Sequence, residues 1–410
     1  MPTTFRHAAL PNGLNVIAEV VPDAATAAVG FFVKTGARDE ELPVMGVSHF
    51  LEHMMFKGTA RRSAHDVNRE FDEIGANYNA FTSHEQTVYY AATLPEMLPR
   101  AVDLFSDMLR PALRDEDFDV EKKVILEEIG MYQDRPQWRL HDALLEAHFA
   151  RHPLGYRVLG TTESITALPV GAMRDYFNAR YSPDNITVAA AGRLDFDALV
   201  ADVTQRCGQW SPTAATRNHG GVAPPAGQAI TLSDAKLTRH YIGLMSQAPA
   251  AGDEQRFAAR VLADALGDEE GSRLYWALID PGLADEADFN FMPLDHAGAF
   301  YAFASCDPER AAQVEELLTT TIDSAAAGLT DDEIERVKNK LATGVTLQGE
   351  RPAGRMHALG HLWTYLGEYQ PLSEQLARIM AVTADDVRDL LRATPLTPRT
   401  VVRLGPIGKA

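Results

Sequence analysis

Cysteine is nearly missing from this 410-residue chain. Cys207 and Cys306 stand far apart, and neither belongs to a metal-like spacing. Both read as reduced core residues, and no disulfide framework is implied. No run of 18 apolar residues occurs, which argues against a membrane-spanning helix. The segment from Met1 to Gly13 lacks a charged stretch followed by an apolar one, so the expectation is a soluble cytoplasmic protein. Positive charge is scarce: 38 Lys and Arg stand against 57 Asp and Glu, a net charge of −19. With no basic patch, nucleic acid is not an expected partner. The acidic excess is read first as a solvated surface that favours solubility. An acidic wall facing a cationic peptide is the other reading.

Hydrophobic residues make up 46% of the chain, enough for a sizeable core, and the length suits two domains. Residues 211–228, SPTAATRNHGGVAPPAGQ, carry no apolar periodicity and read as a linker. The expected organisation is a first domain at 1–210 and a second at 229–410. The two sides repeat each other. Asp117-Phe118 through Asp134-Arg135-Pro136 is matched 216 residues later by Glu333-Ile334 through Glu350-Arg351-Pro352. In each copy an acidic residue opens a helix that ends before an acidic-Arg-Pro turn. Runs of strands and long helices in both halves predict an α+β fold with sandwich-like layers.

The chemistry concentrates in His49-Phe50-Leu51-Glu52-His53, an H-x-x-E-H pattern. On a helix, His49 and His53 are one turn apart on one face, where both imidazoles reach one Zn²⁺ at about 2.0–2.1 Å. Glu52 lies near that face and is placed to take a proton from an attacking water. The bland alternative is an amphipathic helix with a polar stripe. The apolar flanks Val44, Met45, Val47, Phe50, Leu51, Met54, Met55 and Phe56 argue against it, because buried imidazoles and carboxylates need partners. Gly58 suits the helix end. Catalytic zinc takes a third protein ligand. The helix expected at 115–132, with Asp115 as a plausible N-cap, offers Glu121, Glu127 and Glu128. Glu121 and Glu128 are two turns apart and share a face, but periodicity does not separate Glu127 from Glu128.

Together these residues resemble the pitrilysin, insulinase and mitochondrial processing peptidase family of zinc metallopeptidases. The likeness runs over essentially the whole chain. It includes Leu10-Pro11-Asn12-Gly13-Leu14, the stretch from Gly46 to Thr59, Asn79-Ala80-Phe81-Thr82 with Thr87 and Tyr89, Glu121 through Glu128, His152-Pro153-Leu154-Gly155, and Tyr181-Ser182-Pro183-Asp184-Asn185. The resemblance implies one Zn²⁺ per chain held by His49, His53 and Glu128. It implies Glu121 as the carboxylate that orients a ligand, and Glu52 as general base. It implies two homologous domains forming half of a clamshell around a cavity, the second without the metal chemistry. Glu128 corresponds to Gly344 and Glu121 to Val337, and Gln255–Leu266 has no histidine.

The stretch Asn79–Ala91 reads as extended. In the family the strand at this position is an edge that pairs with peptide substrate, which assigns Asn79, Ala80, Phe81 and Thr82 to substrate binding by strand addition. From the residues alone, an ordinary core strand reads equally well. One departure stands out. Many catalytic members of the family place an Arg and a Tyr after a Ser-Arg-Leu-aromatic lead. Here the lead is Ser272-Arg273-Leu274-Tyr275, but Asp285 falls at the Tyr position and the Arg is missing. Arg273 and Tyr275 come too early and read as helix residues with packing or surface roles. The expectation is the zinc-bearing subunit of a dimer, whose related partner chain carries the Arg/Tyr pair. A non-proteolytic scaffold and a peptide-gripping module are the rival readings.

Overall fold

Strands β3 (Ala27–Val33) and β6 (Ile186–Gly192) are buried along their whole length. A strand buried on both sides needs cover on both faces of its sheet, and alternate residues serve two cores. Val29, Phe31 and Val33 enter one apolar cluster, whereas Ala28 and Phe32 enter another. Gly30 lies on the second face, where a Cβ would come within 2.6 Å of Met356 Sδ.

The computed structural model describes residues 3–221 and 227–406. Residues 222–226 of the expected linker lie outside the described residues. The elements before the linker are β1 (Thr4–Ala9), β2 (Asn15–Val20), β3, α1 (Val47–Met55), α2 (Ala64–Glu73), β4 (Asn77–Thr82), β5 (Thr87–Thr93), α3 (Leu98–Met108), α4 (Asp115–Gln133), α5 (Pro136–Phe149), α6 (Thr162–Ala167), α7 (Val170–Arg180), β6 and α8 (Phe196–Cys207). After it come β7 (Ala229–Ser233), β8 (His240–Gln247), α9 (Arg256–Gly267), β9 (Glu286–Leu294), β10 (Ala297–Cys306), α10 (Ala311–Asp323), α11 (Asp331–Gly349), α12 (Pro352–Leu366), α13 (Leu372–Ala381), α14 (Ala384–Ala393) and β11 (Thr400–Gly405).

The chain forms two compact units, each an α+β layered body. The first holds a six-stranded sheet ordered β1-β2-β6-β3-β5-β4. The second holds a five-stranded sheet ordered β7-β11-β8-β10-β9. In both, one parallel pair (β2/β6, β7/β11) is followed by three antiparallel pairs. The internal repeat is therefore a repeat of topology. Helices α4 and α11 open 216 residues apart and have 19 residues each, and α5 and α12 begin at the same offset.

The units are not the contiguous stretches 1–210 and 229–410. Residues 131–155 belong to the second unit and 346–370 to the first. The cause is the bare face of each sheet. In the first unit α12 covers β2, β6 and β3, and buries Met356 and Leu359 against Ile17, Phe32 and Val88. Gly360 permits this approach, since a Cβ there would stand 2.2 Å from the Phe32 ring. In the second unit α5 covers β8 and β11, with Leu140 and Leu144 against Met245, Val402 and Leu404. Cys207 and Cys306 are free and buried. Among the described residues no helix is long and apolar enough to cross a membrane.

Candidate metal centre

Helix α1 carries the H-x-x-E-H residues, and its N-terminus is built from outside the motif. Gly46 precedes it at φ +93°, a left-handed conformation suited to glycine, and a Cβ there would sit 2.7 Å from Leu159 O. The first amides of a helix lack intrahelical acceptors. Buried Glu40 supplies them: its Oε2 accepts from Gly46 N at 2.6 Å and its Oε1 from Ser48 N at 2.8 Å. Ser48 Oγ pairs with the Tyr176 hydroxyl at 2.8 Å. The helix ends at Met55 with Phe56 as its cap, two residues before Gly58.

Burial raises the Glu40 pKa to about 8, against the opposing pull of the Ser48 and Gly46 amides. The folded chain thus keeps a proton that the unfolded chain loses above its ordinary value of 4.5. The stabilisation is complete below 4.5 and is lost as pH rises through about 8. Glu40→Gln removes this titration. The wild-type stability, measured against Glu40→Gln by urea unfolding of metal-free protein, should therefore fall between about pH 5 and about pH 8, by at most about 1.4 kcal/mol per pH unit. A difference that stays flat over that interval would show that Glu40 holds no such proton.

Three side chains from two helices converge at the centre. His49 and His53 come from α1 and Glu128 from α4. Glu128 Oε2 is 3.7 Å from His49 Nε2 and 3.5 Å from His53 Nε2. These separations are too long for good hydrogen bonds. They are close to the edge of a tetrahedron around zinc, about 3.3 Å when each ligand bond is about 2.0–2.1 Å. The protonation states fit as well. Burial, with His53 beside it, lowers the His49 pKa to about 3, so its imidazole is neutral and offers a lone pair. His49 Nδ1 is buried without a hydrogen-bond partner. A cation at Nε2 would settle its tautomer, leaving the proton on Nδ1.

His53 is oriented by Glu121, whose Oε1 lies 2.8 Å from His53 Nδ1. That bond puts the proton on Nδ1 and turns the Nε2 lone pair toward Glu128. Burial alone would lower the His53 pKa; the Glu121 hydrogen bond and the Glu128 and Glu121 charges outweigh it and raise it. Glu121 is held in turn by Lys57 Nζ at 2.5 Å from Oε2. Burial works to raise the Glu121 pKa, but His53 and Lys57 together lower it. Glu127 is exposed. Of Glu127 and Glu128, it is Glu128 that α4 turns toward α1. The structure brings together His49, His53 and Glu128, with Glu121 beside His53, the residues that the resemblance implies.

Glu52 stands on the same helix and is not among the converging donors. Its Oε2 accepts a 2.6 Å hydrogen bond from Thr82 Oγ1. Thr82, expected to bind substrate through its strand, also holds Glu52 with its side chain. Asn79, Ala80 and Phe81 lie on β4, the edge strand of the first sheet, with Asn79 and Phe81 exposed and Ala80 buried. The stretch Asn79–Ala91 is not one continuous strand. It turns at 83–86, where Ser83 N donates to Gln86 O at 2.8 Å, and continues as β5. Sequence reasoning missed Glu40, Lys57 and Tyr176. Lys57 and Tyr176 act through partners distant in the chain, and Glu40 reaches amides six and eight residues on without a capping pattern that announces it.

The counterpart positions carry different chemistry. Val337, where Glu121 stands in the first copy, is buried in the second core. Arg273 is committed to Glu333, with Nε–Oε1 at 2.7 Å, and to the Gly328 carbonyl at 3.0 Å. Asp285 is paired with Arg239. Both residues serve as structural ion pairs.

A repeated α+β scaffold, one copy presenting two imidazoles and a carboxylate from two helices, defines a class of proteins with a metal-type donor set. Comparison with known proteins makes this specific. Residues 15–162 match the family model described as insulinase (peptidase family M16), and residues 167–341 match the peptidase M16 inactive domain. The chain is 35% identical over 411 residues to an uncharacterized zinc protease of Mycobacterium tuberculosis, covering 98% of this chain and 93% of that protein. It is 31% identical over 401 residues to an uncharacterized zinc protease of Bacillus subtilis, covering 97% of each. A protease from Helicobacter pylori has the same fold, with TM-score 0.90 at 19% identity over 99% of this chain and 100% of that one. A putative M16-like peptidase from Alicyclobacillus acidocaldarius superposes with TM-score 0.85 at 23% identity, over 99% of each. The chain belongs to peptidase family M16, a family of zinc proteases.

Proposed function

We propose that the chain is a zinc-dependent endopeptidase that cuts peptides or unfolded segments bound in extended form. The observation that carries this is the junction of the His49, His53 and Glu128 donors with a Glu52 held in place by Thr82. A bound zinc ion supplies Lewis-acid polarisation of a carbonyl and acidification of a water. The chain's own residues do the rest. Glu52 takes the proton from the attacking water and returns it to the departing amine. Burial raises the Glu52 pKa, with the Thr82 hydroxyl pulling the other way. A carboxylate raised toward the working pH is a better base. Glu121 and Lys57 keep His53 in the tautomer that presents Nε2. The free edge of β4, with Asn79, Ala80 and Phe81, holds the substrate backbone by strand addition, which selects extended chains over folded ones.

The missing Arg/Tyr pair supports a second element of this reading. Asp285 occupies the Tyr position and is engaged by Arg239, and Arg273 is engaged by Glu333, so neither side chain is a donor in waiting. A related chain bearing the pair would complete the substrate site as the other subunit of a dimer. The test is cleavage of an unstructured fluorogenic peptide by the purified chain, alone and with co-purified chains of the same fold. Expected results are cleavage abolished by a chelator and restored by Zn²⁺, with turnover raised by the partner. Chelator-insensitive cleavage would defeat the zinc reading. Full activity from the chain alone, unchanged by the partner, would defeat the paired one.

A further inference from the structure

A second cluster of metal-type donors lies in the second unit, away from the H-x-x-E-H motif in sequence. The hairpin between β9 and β10 turns on two residues, Asp295 and His296. His219 approaches the same turn from the segment after the first unit. One ligand atom from each of His219, Asp295 and His296 lies within 4.8 Å of the other two. The Asp295 carboxylate is 3.8 Å from His219 Nδ1 through Oδ2, and 3.6 Å from His296 Nε2 through Oδ1. The imidazole rings are 4.4 Å apart and inclined at 58°.

These separations are similar to those of the metal centre in the first unit, with the difference that there one carboxylate oxygen faces both imidazoles and here each imidazole faces its own oxygen of Asp295. There the carboxylate-to-imidazole distances are 3.7 and 3.5 Å, and the rings are 4.7 Å apart at 63°. In both places the gap is too wide for a good hydrogen bond and has the span of two ligands sharing one ion. The position of His219 is held by its neighbour. His152 Nδ1 accepts from Leu154 N at 3.1 Å, so its Nε2 carries the proton and donates to Gly220 O at 3.0 Å. The Asp295 side chain is 7% exposed, whereas His219 and His296 are open to water at 40% and 68%. A buried carboxylate with two accessible imidazoles is a donor set for borderline divalent cations of the zinc group, with water completing the coordination.

We propose that His219, Asp295 and His296 form a second, non-catalytic site for a zinc-group divalent cation, which ties the segment at 219 to the β9–β10 turn. The site has no general base of the Glu52 kind in its sequence neighbourhood, so its role is structural. The inference does not depend on the peptidase reading, and the two fail separately.

The test is titration of metal-free protein with Zn²⁺ alone, by calorimetry and by metal content after gel filtration. Wild type should take up two ions per chain. His53→Ala/Glu128→Ala, whose changed side chains are partly exposed, should keep one. Adding His219→Ala and His296→Asn to it should leave none, and those two changes alone should take wild type from two ions to one. Co²⁺ substituted into His53→Ala/Glu128→Ala should show a visible ligand-field band that His296→Asn removes. The proposal fails if His53→Ala/Glu128→Ala binds no ion, or if the ion it keeps survives loss of both His219 and His296. Thermal melts of the metal-free variants matching wild type establish that the surface substitutions leave the fold intact.

Discussion

Glu52→Gln is expected to keep its zinc and lose peptide hydrolysis by about 10²–10⁴-fold, the usual contribution of a positioned general base. The zinc survives because Glu52 is not one of the converging donors. The geometry survives because the amide oxygen of glutamine can still accept the Thr82 hydroxyl, now 2.6 Å from Glu52 Oε2. What disappears is the ability to take a proton. The expected loss corresponds to about 3–5 kcal/mol of transition-state stabilisation. Metal content and kcat/KM on one preparation provide the check. Wild-type turnover with full zinc would remove Glu52 from the proton transfer, and loss of zinc along with activity would make it a ligand.

Glu128→Ala is expected to abolish both zinc retention and hydrolysis, while Glu127→Ala stays at the wild-type level in both. The substitution removes one of three donors and leaves His49 and His53 as a two-point site. Losing a hydrogen bond that only supports a ligand weakens binding about 10–100-fold, and losing a ligand should exceed that. The Glu128 side chain is 22% exposed, so its truncation opens no core cavity, and a change in folding is not expected to confuse the result. Glu127 is the demanding control, because it differs from Glu128 by one residue and faces solvent. Zinc content after gel filtration separates the two variants. Equal zinc loss in both would mean that α4 is turned differently from the arrangement described above.

Much of the centre was legible because its information is local. His49, Glu52 and His53 lie within five residues, and a helix of fixed pitch brings them to one face. The offset between the halves was legible for the same reason, since α4 and α11 keep their length and their acidic openings. Periodicity left the choice between Glu127 and Glu128 open, and the resemblance implied Glu128; in the structure it is Glu128 that lies near His49 and His53, while Glu127 is exposed. The resemblance assigned Thr82 to substrate binding through the backbone of its strand. That its side chain also holds Glu52 is encoded by no spacing in the sequence. Glu40 at the head of α1 was invisible for a related reason: a carboxylate before a helix looks like any surface acid until burial shows what it caps.

The sequence by itself determined the class of chemistry, the repeat and the half of the chain that carries the donors, because helix periodicity and motif spacing are short-range properties. The tertiary structure alone decided how the repeat is assembled. The bare apolar face of the first sheet, with Phe32 and Val88, is covered by α12, and that of the second, with Met245 and Val402, by α5. Burying those faces is a non-local, area-driven effect, so the compact units cross the linker that composition had marked as their boundary.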